Sequence, residues 1–163
     1  GLDLERIKQL IAEWKETWPE APLYFAHIEK LRRRSTIESL FTQRHRGGTT
    51  YCAACNTPFQ GLGADIGKQA LWLIAKAQYV TPSSALYNTR TVAFVHDEII
   101  IEAPLDAVHE AGNALADAMV EGANVYLPNV AIPRAKVKPS AMIRWSKKAS
   151  PTFADGRLVP WDM

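Results

Sequence analysis

The sequence predicts an α+β fold in which a small, mostly antiparallel sheet packs against several helices, one of them long. Two observations support this prediction. From residue 52 to residue 79, apolar side chains recur at helical spacing over an unusually long stretch. Two short β-rich segments, 91–95 and 98–102, are separated only by His96 and Asp97, which is the spacing of a tight β-hairpin.

The composition is ordinary for a globular protein. At 163 residues, with 47% apolar and 22% charged residues, the chain is long enough for one compact domain. No apolar run reaches membrane-spanning length, so we expect no membrane partner. The net charge of +2 does not by itself indicate a polyanionic partner. Basic clusters at 30–34, 44–46 and 134–148 modestly favour nucleic-acid binding over solvated surfaces.

Two helices are predicted at the start of the chain. Residues 4–18 show apolar spacings of three and four, with Asp3 as an N-cap. A second helix is predicted over 22–34. Its expected buried residues are Leu23, Phe25 or Ala26, Ile28 and Leu31. Residues 36–41 alternate as a short strand, and 44–50 return either as its partner or as a loop.

The long helix has two distinct stripes. The stripe expected to be buried comprises Phe59, Leu62, Ile66, Ala70, Leu73 and Ala77. Beside it lies a polar, lightly built edge formed by Asn56, Gln60, Gly63 and Gly67. Glycine inside a helix costs about 1 kcal/mol relative to alanine, so something bulky is expected to approach closely. A neighbouring strand and a nucleic-acid backbone explain these glycines equally well.

The hairpin carries ionisable side chains at its tip. Two-residue turns usually need Gly or Asn at positive φ, whereas this one has His96 and Asp97, followed by Glu98. Acidic groups on a rigid mount suit metal-assisted chemistry. A solvated polar turn is the alternative, and the spacing alone does not decide between them.

The rest of the chain is predicted as follows. A helix over 105–124 is expected to bury Val108, Ala111, Leu115, Ala118, Met119 and Gly122. Residues 135–138 and 141–145 look like strands, and the segment from Ala149 onward is expected to be a tail. Cys52 and Cys55 form a C-x-x-C, which could be a redox pair or half of a zinc site. We favour two small packing groups on one helix face.

Two segments together resemble one protein family. The order N-T-P-F-Q-G-L-G-A-D-I-G-K-Q-A (56–70), then V-A-F-V-H-D-E-I-I-I-E-A-P (92–104) resembles family A DNA polymerases of the bacterial and phage polymerase I type. Residues 56–70 resemble the palm helix that follows the primer–template minor groove, and 92–104 resemble motif C. Residues 37–46 resemble the T-L-x-G-R-R-R segment, although Thr42-Gln43 stands where Gly is expected.

The resemblance implies a domain organisation and a location. Residues 1–34 are expected to be a helical hairpin from the fingers, 35–148 the palm subdomain and 149–163 a C-terminal tail. Within the palm, 127–148 resemble its terminal strands. The expected location is the cytoplasm of a bacterium or of a phage-infected host cell.

The resemblance also assigns residue roles. Asp97 is implied to be one of two aspartates that hold a pair of Mg²⁺ ions, with Glu98 beside it. His96 is implied to touch the primer terminus, so His96, Asp97 and Glu98 are the candidate catalytic residues. Asn56 and Gln60 are implied to contact the duplex minor groove, where their amides suit acceptors common to all base pairs. The plainer alternative for these two is an N-cap and an exposed amide.

Arg44 and Arg46 are also expected to contact DNA. The expected partner is primer–template DNA. The family's other metal aspartate and its nucleotide-binding helix have no counterpart in this sequence, so the two-ion site is only half supplied. We therefore expect no polymerisation by the chain alone. A separate chain carrying the missing half and self-association through exposed apolar surface are also considered. The alternatives are a non-catalytic, sequence-independent DNA-binding module and a remnant without a function.

Overall fold

The computed structural model describes residues 3–33, 36–131 and 137–161. In chain order the elements are α1 (Leu4–Thr17), α2 (Glu20–Arg32), β1 (Thr36–Glu38), β2 (His45–Gly47), α3 (Tyr51–Tyr79), β3 (Arg90–Val95), β4 (Glu98–Glu102), α4 (Val108–Tyr126), β5 (Ala141–Met142), β6 (Thr152–Ala154) and β7 (Arg157–Trp161). The α+β class is confirmed. No helix in these ranges is long and apolar enough to cross a membrane.

The chain divides into two compact units, Gly1–Leu62 and Gly63–Met163. The boundary between these two units falls inside α3. The predicted end of a fingers-derived subdomain near residue 34 stays a prediction. A continuous helix shows no break in its periodicity, which is why the pattern of residues does not reveal a boundary at this position.

The first unit has a small core. Asp3 caps α1 as predicted, accepting the Arg6 N–H at 2.7 Å. No residue of α1 is buried. The core consists of Ile28, Ile37 and Ala54. Ile28 is buried as expected, whereas Leu23 is 73% exposed, so its predicted burial is wrong.

Strands β1 and β2 pair antiparallel, with Ile37 opposite Arg46. Of the two interpretations left open for residues 44–50, the returning partner strand is therefore correct. The first strand ends at Glu38, earlier than predicted, because a turn follows directly. In that turn Gln43 has φ +53°.

Helix α3 has the predicted length, and its predicted stripe is buried in part. Ala70 is buried and Ala77 packs against the core, as predicted, whereas Phe59 is 64% exposed. Ile74 and Gln78, which lie outside the predicted stripe, are also buried. Burial of the Gln78 amide is tolerated because both of its polar atoms are hydrogen-bonded. Its Nε2 donates to Thr89 Oγ1, and its Oε1 accepts from Thr91 Oγ1, both at 3.0 Å.

The second unit is built around the packing of α3, the β3–β4 hairpin and α4. Its core comprises Ala70, Ile74, Leu86, Ile99 and Ala111. A short 3₁₀ turn, Leu105–Ala107, precedes α4, so the predicted helix over 105–124 is confirmed except for its first turn. Its predicted inner face is also confirmed, with Ala111 and Gly122 buried and Leu115, Ala118 and Met119 packed against the core.

Residues 152–161 form a hairpin and not a tail. Strand β7 lies between β5 and β6, parallel to β5 and antiparallel to β6. Asp155 and Gly156, with φ of +49° and +74°, form the two-residue turn between β6 and β7. Positive φ at both central positions is typical of type I′ hairpins, for which Asp-Gly is a preferred sequence. The tail predicted over 149–163 is therefore wrong for residues 152–161, and residues 162 and 163 lie outside the described part of the chain.

This terminal hairpin is attached to α4. The Leu158 N–H donates to His109 Nδ1 at 2.8 Å, and Arg157 Nη2 donates to Glu110 Oε1 at 2.6 Å. Leu158 is buried. These hydrogen bonds join residues far apart in the sequence, so local periodicity does not predict them.

The strand predictions before this hairpin hold only in part. The strand predicted over 141–145 is limited to Ala141–Met142. Of the strand predicted over 135–138, residues 135 and 136 lie outside the described part of the chain. Val137 and Lys138 do not belong to a strand.

Candidate functional site

The tip of the β3–β4 hairpin presents three ionisable side chains. Val95 pairs with Glu98, so His96 and Asp97 form a two-residue turn as predicted. His96 has φ +56° whereas Asp97 does not have a positive φ, which are the signs found in type II′ turns. His96, Asp97 and Glu98 are all exposed, and Ile99 directly after them is buried. The charged tip therefore precedes a strand that Ile99 anchors in the core.

The hairpin is seated closely against α3. A Cβ placed on Gly67 would lie 2.7 Å from Cζ of Phe94, so an adjacent strand accounts for this glycine. Gly63 has nothing within 4 Å and is not explained in the same way. The register shifts between Thr91 and Ala93, and such bulges increase the local twist of a hairpin.

The carboxylates at the tip are the type of ligand that a hard cation prefers, but they are fewer than a complete metal site needs. The carboxylates of Asp97 and Glu98 are oxygen ligands of the type that Mg²⁺ prefers. Across the described ranges, however, no three His, Cys, Asp or Glu side chains come together in a group that could hold a metal ion. The two carboxylates therefore supply part of a metal site at most.

The predicted DNA-contacting residues of the first unit lie along one stretch of α3. Asn56 and Gln60 are exposed and one helical turn apart. Arg44 Nη2 donates to the Gly61 carbonyl oxygen at 3.3 Å, and Arg46 Nη1 donates to Thr57 Oγ1 at 3.2 Å. Each arginine thus reaches the residue that follows one of the two amides. The structure thus places both arginines against α3.

The turn between β1 and β2 positions these arginines. Thr42 Oγ1 lies 2.7 Å from Ser39 Oγ and accepts from Arg44 Nε at 3.2 Å. Gln43 takes the positive φ that the resembled pattern assigns to a glycine. The turn therefore forms in spite of the substitution, and the hydroxyls of Ser39 and Thr42 stabilise it.

A wide apolar groove of about 610 Å³ opens in the first unit. Its aromatic lining residues are Trp14, Trp18, Tyr24, Phe25 and Phe59. The sequence predicted helical stripes for most of these residues but not a groove, because a buried stripe and an unpartnered one have the same spacing.

The two cysteines differ in their surroundings, and both are free. Cys55 is half-buried and packs against the small core, and its carbonyl oxygen accepts from the Tyr24 hydroxyl at 2.5 Å. Burial, followed by the charge of Cys55, raises the pKa of Tyr24. Cys52 is exposed, so the predicted packing role is wrong for that residue.

Comparison with known proteins identifies the family. The sequence model described as DNA polymerase family A matches residues 4–145. The chain belongs to DNA polymerase family A. The matched region contains the hairpin tip and the four candidate DNA-contacting residues, Arg44, Arg46, Asn56 and Gln60.

Several relatives carry the name DNA polymerase I. The chain is 36% identical to the one from Chloroflexus aurantiacus over 130 residues, 73% of this chain and 13% of that protein. It is 27% identical to that of Streptococcus pneumoniae over 143 residues and 26% identical to that of Lactococcus lactis over 140 residues. The chain thus spans 13–16% of the length of these family A relatives. No solved structure matches it.

Proposed function

We propose that this chain forms the palm part of a family A DNA polymerase that performs template-directed nucleotidyl transfer. The observation that carries the proposal is the exposed His96-Asp97-Glu98 tip on a hairpin that Ile99 anchors in the core, inside the region that matches the family. The named relatives are DNA polymerases, which supports the reaction class.

In this proposal each tip residue has a role. Asp97 is a metal ligand, Glu98 lies near the metals, and His96 contacts the primer terminus. When bound, two Mg²⁺ ions stabilise the attacking and leaving oxygens of an in-line phosphoryl transfer. The contribution of the chain is to hold these side chains in place. The close packing of Phe94 in β3 over Gly67 in α3 favours such positioning.

The residues of the first unit bind the DNA duplex. Asn56 and Gln60 donate to acceptors in the minor groove that every base pair presents, so binding is independent of sequence. Arg44 and Arg46 contact phosphates. Arg46 uses one of its guanidinium N–H groups on Thr57, and an arginine has five, so further donors remain for DNA.

The chain alone is inactive in this proposal, because the carboxylates at the tip supply only part of the two-ion site. Activity then depends on a segment that carries the second metal aspartate and the nucleotide-binding helix. A separate chain is one source of that segment. The exposed apolar residues of α1 and its C-cap, including Trp14 and Trp18, also favour self-association.

Duplex binding tests the DNA contacts. Asn56→Ala and Gln60→Ala each remove a hydrogen bond and should weaken binding of a labelled duplex about five-fold, whatever its sequence. Gln9→Ala removes an exposed amide on α1 and serves as the matched control. Equal affinity of all three variants and the unmodified chain would contradict the proposed contact.

Salt dependence tests the arginines separately. If Arg46 neutralises one phosphate, Arg46→Gln should reduce the slope of log K against log salt by about 0.9. An unchanged slope would show that Arg46 does not contact phosphate.

A non-catalytic DNA-binding module is the second candidate function. It is favoured by the absence of three clustered metal-ligating groups among the residues that the structure describes. The two candidates differ in reconstitution. The polymerase proposal predicts primer extension when the chain is mixed with the complementary half of a family A polymerase, whereas the binding module predicts none.

A further inference from the structure

The turn that follows β5 exposes an indole among basic side chains. Trp145 is 53% exposed, and Arg144, Lys147 and Lys148 around it are exposed as well. An indole is a large stacking surface, and covering it with another aromatic ring is favourable. The turn therefore offers a stacking platform and positive charge in the same short segment.

Hydrogen bonds hold this turn in a defined shape. The Ser146 N–H donates to Met142 Sδ at 3.2 Å, and the Lys148 N–H donates to Ser146 Oγ at 3.2 Å. Ala149 N–H donates back to the Ser146 carbonyl oxygen at 3.1 Å. Met142 in turn belongs to β5, which pairs with β7. Because the backbone is fixed on the sheet, little conformational entropy remains to be lost when a ligand binds.

The charge of the turn is not neutralised from within the described part of the chain. Arg144, Lys147 and Lys148 form no ion pair with any described carboxylate. The segment 137–148 contains no acidic residue. A polyanion is therefore the ligand that the charges favour.

We propose that this turn binds an unpaired strand of DNA, with a base stacked on Trp145 and phosphates facing Arg144, Lys147 and Lys148. Duplex bases are stacked on each other and do not offer a face to an indole, whereas an unpaired base does. Every base has such a face, so binding is independent of sequence. This inference rests on the proposed DNA-binding function and adds a single-strand site outside the duplex contacts of Asn56 and Gln60.

Binding of a labelled oligothymidylate to the full chain, followed by fluorescence anisotropy, tests the platform. Trp145→Ala should weaken binding about ten-fold, and Trp145→Phe should retain most of the affinity because the ring still stacks. The control is Trp72→Ala, which removes an indole of α3 that is 64% exposed and has no role in the proposed binding. Equal single-strand affinity of Trp145→Ala and the unmodified chain would overturn the inference.

The lysines are tested by salt titration. The double variant Lys147→Gln, Lys148→Gln should reduce the salt slope for the single strand by about 0.7 for each phosphate that the lysines neutralise. An unchanged slope would contradict the binding of phosphate by these lysines.

Parallel titrations with a blunt duplex separate this inference from the proposed function. Asn56→Ala with Gln60→Ala should weaken only duplex binding, and Trp145→Ala only single-strand binding. If Trp145→Ala lowered the affinity for single-stranded and duplex DNA equally, the single-strand assignment would be overturned. If the unmodified chain bound the single strand through Trp145 but did not bind duplex, the proposed function would be wrong and this inference would stand.

Discussion

The contact between α3 and α4 permits a sharp prediction about Gly122. A Cβ added at this residue would lie 2.8 Å from the backbone nitrogen of Ala70, 3.0 Å from its Cα and 3.1 Å from its Cβ. Both residues are buried. We predict that Gly122→Ala destabilises the second unit, although alanine is the better helix former.

The magnitude follows from two opposing effects. Alanine in a helix interior gains about 1 kcal/mol over glycine. Overpacking a well-packed core typically costs about 1–3 kcal/mol. The upper end applies here, because the atoms that would be contacted belong to the backbone of a helix and cannot move aside by rotating a side chain. The expected net loss in the free energy of unfolding is about 2 kcal/mol.

Urea unfolding followed by circular dichroism measures this loss, and Gly63→Ala is the matched control. Gly63 lies in α3 and has nothing within 4 Å, so the same substitution should stabilise the protein by about 1 kcal/mol. A Gly122→Ala variant as stable as the unmodified chain would refute the close helix packing.

Three further predictions concern other parts of the fold. Gly156→Ala forces alanine to φ +74° and should lower the free energy of unfolding by about 1 kcal/mol in urea titrations. The hydrogen bond from Arg157 lowers the pKa of Glu110, so its stabilisation is present above the usual pKa of a glutamate and is lost as the pH falls through the lowered one. Glu110→Gln should therefore flatten the acid side of the stability profile. Burial raises the pKa of Tyr24, so stability should fall as the pH rises past the usual pKa of tyrosine, and less so in Tyr24→Phe.

The sequence predicted the features that depend on local chemistry. The Asp3 cap, the length of α3 and the two-residue turn at His96 and Asp97 follow from side-chain spacing and turn preferences, and the structure has all three. The Asp155-Gly156 turn carried an equally clear hairpin signal. It was missed because the segment around it lacks periodicity.

The remaining differences arise from long-range packing. Periodicity identified an apolar stripe on α3, but the buried side includes Gln78, whose amide is satisfied by Thr89 and Thr91. Phe59 lies on the predicted stripe yet is exposed. Which side of a helix is buried depends on the elements that pack against it, and these come from distant parts of the sequence.

In the candidate site, too, features set by local motifs can be separated from features set by long-range packing. The sequence indicated the tip residues and the pair Asn56 and Gln60 as candidates, because each lies in a short motif. It did not indicate that Arg44 and Arg46 bond to α3 next to those amides, since that arrangement depends on how the β1–β2 hairpin folds back.

Reconstituted primer extension tests the central claim most directly. The assay mixes the chain with a polypeptide that supplies the second metal aspartate and nucleotide-binding helix of a family A polymerase, in the presence of Mg²⁺ and a primer–template. The account predicts no extension by either partner alone, extension by the mixture, and its loss in Asp97→Asn. Undiminished extension by a mixture containing Asp97→Asn would contradict the assignment of Asp97 as a metal ligand.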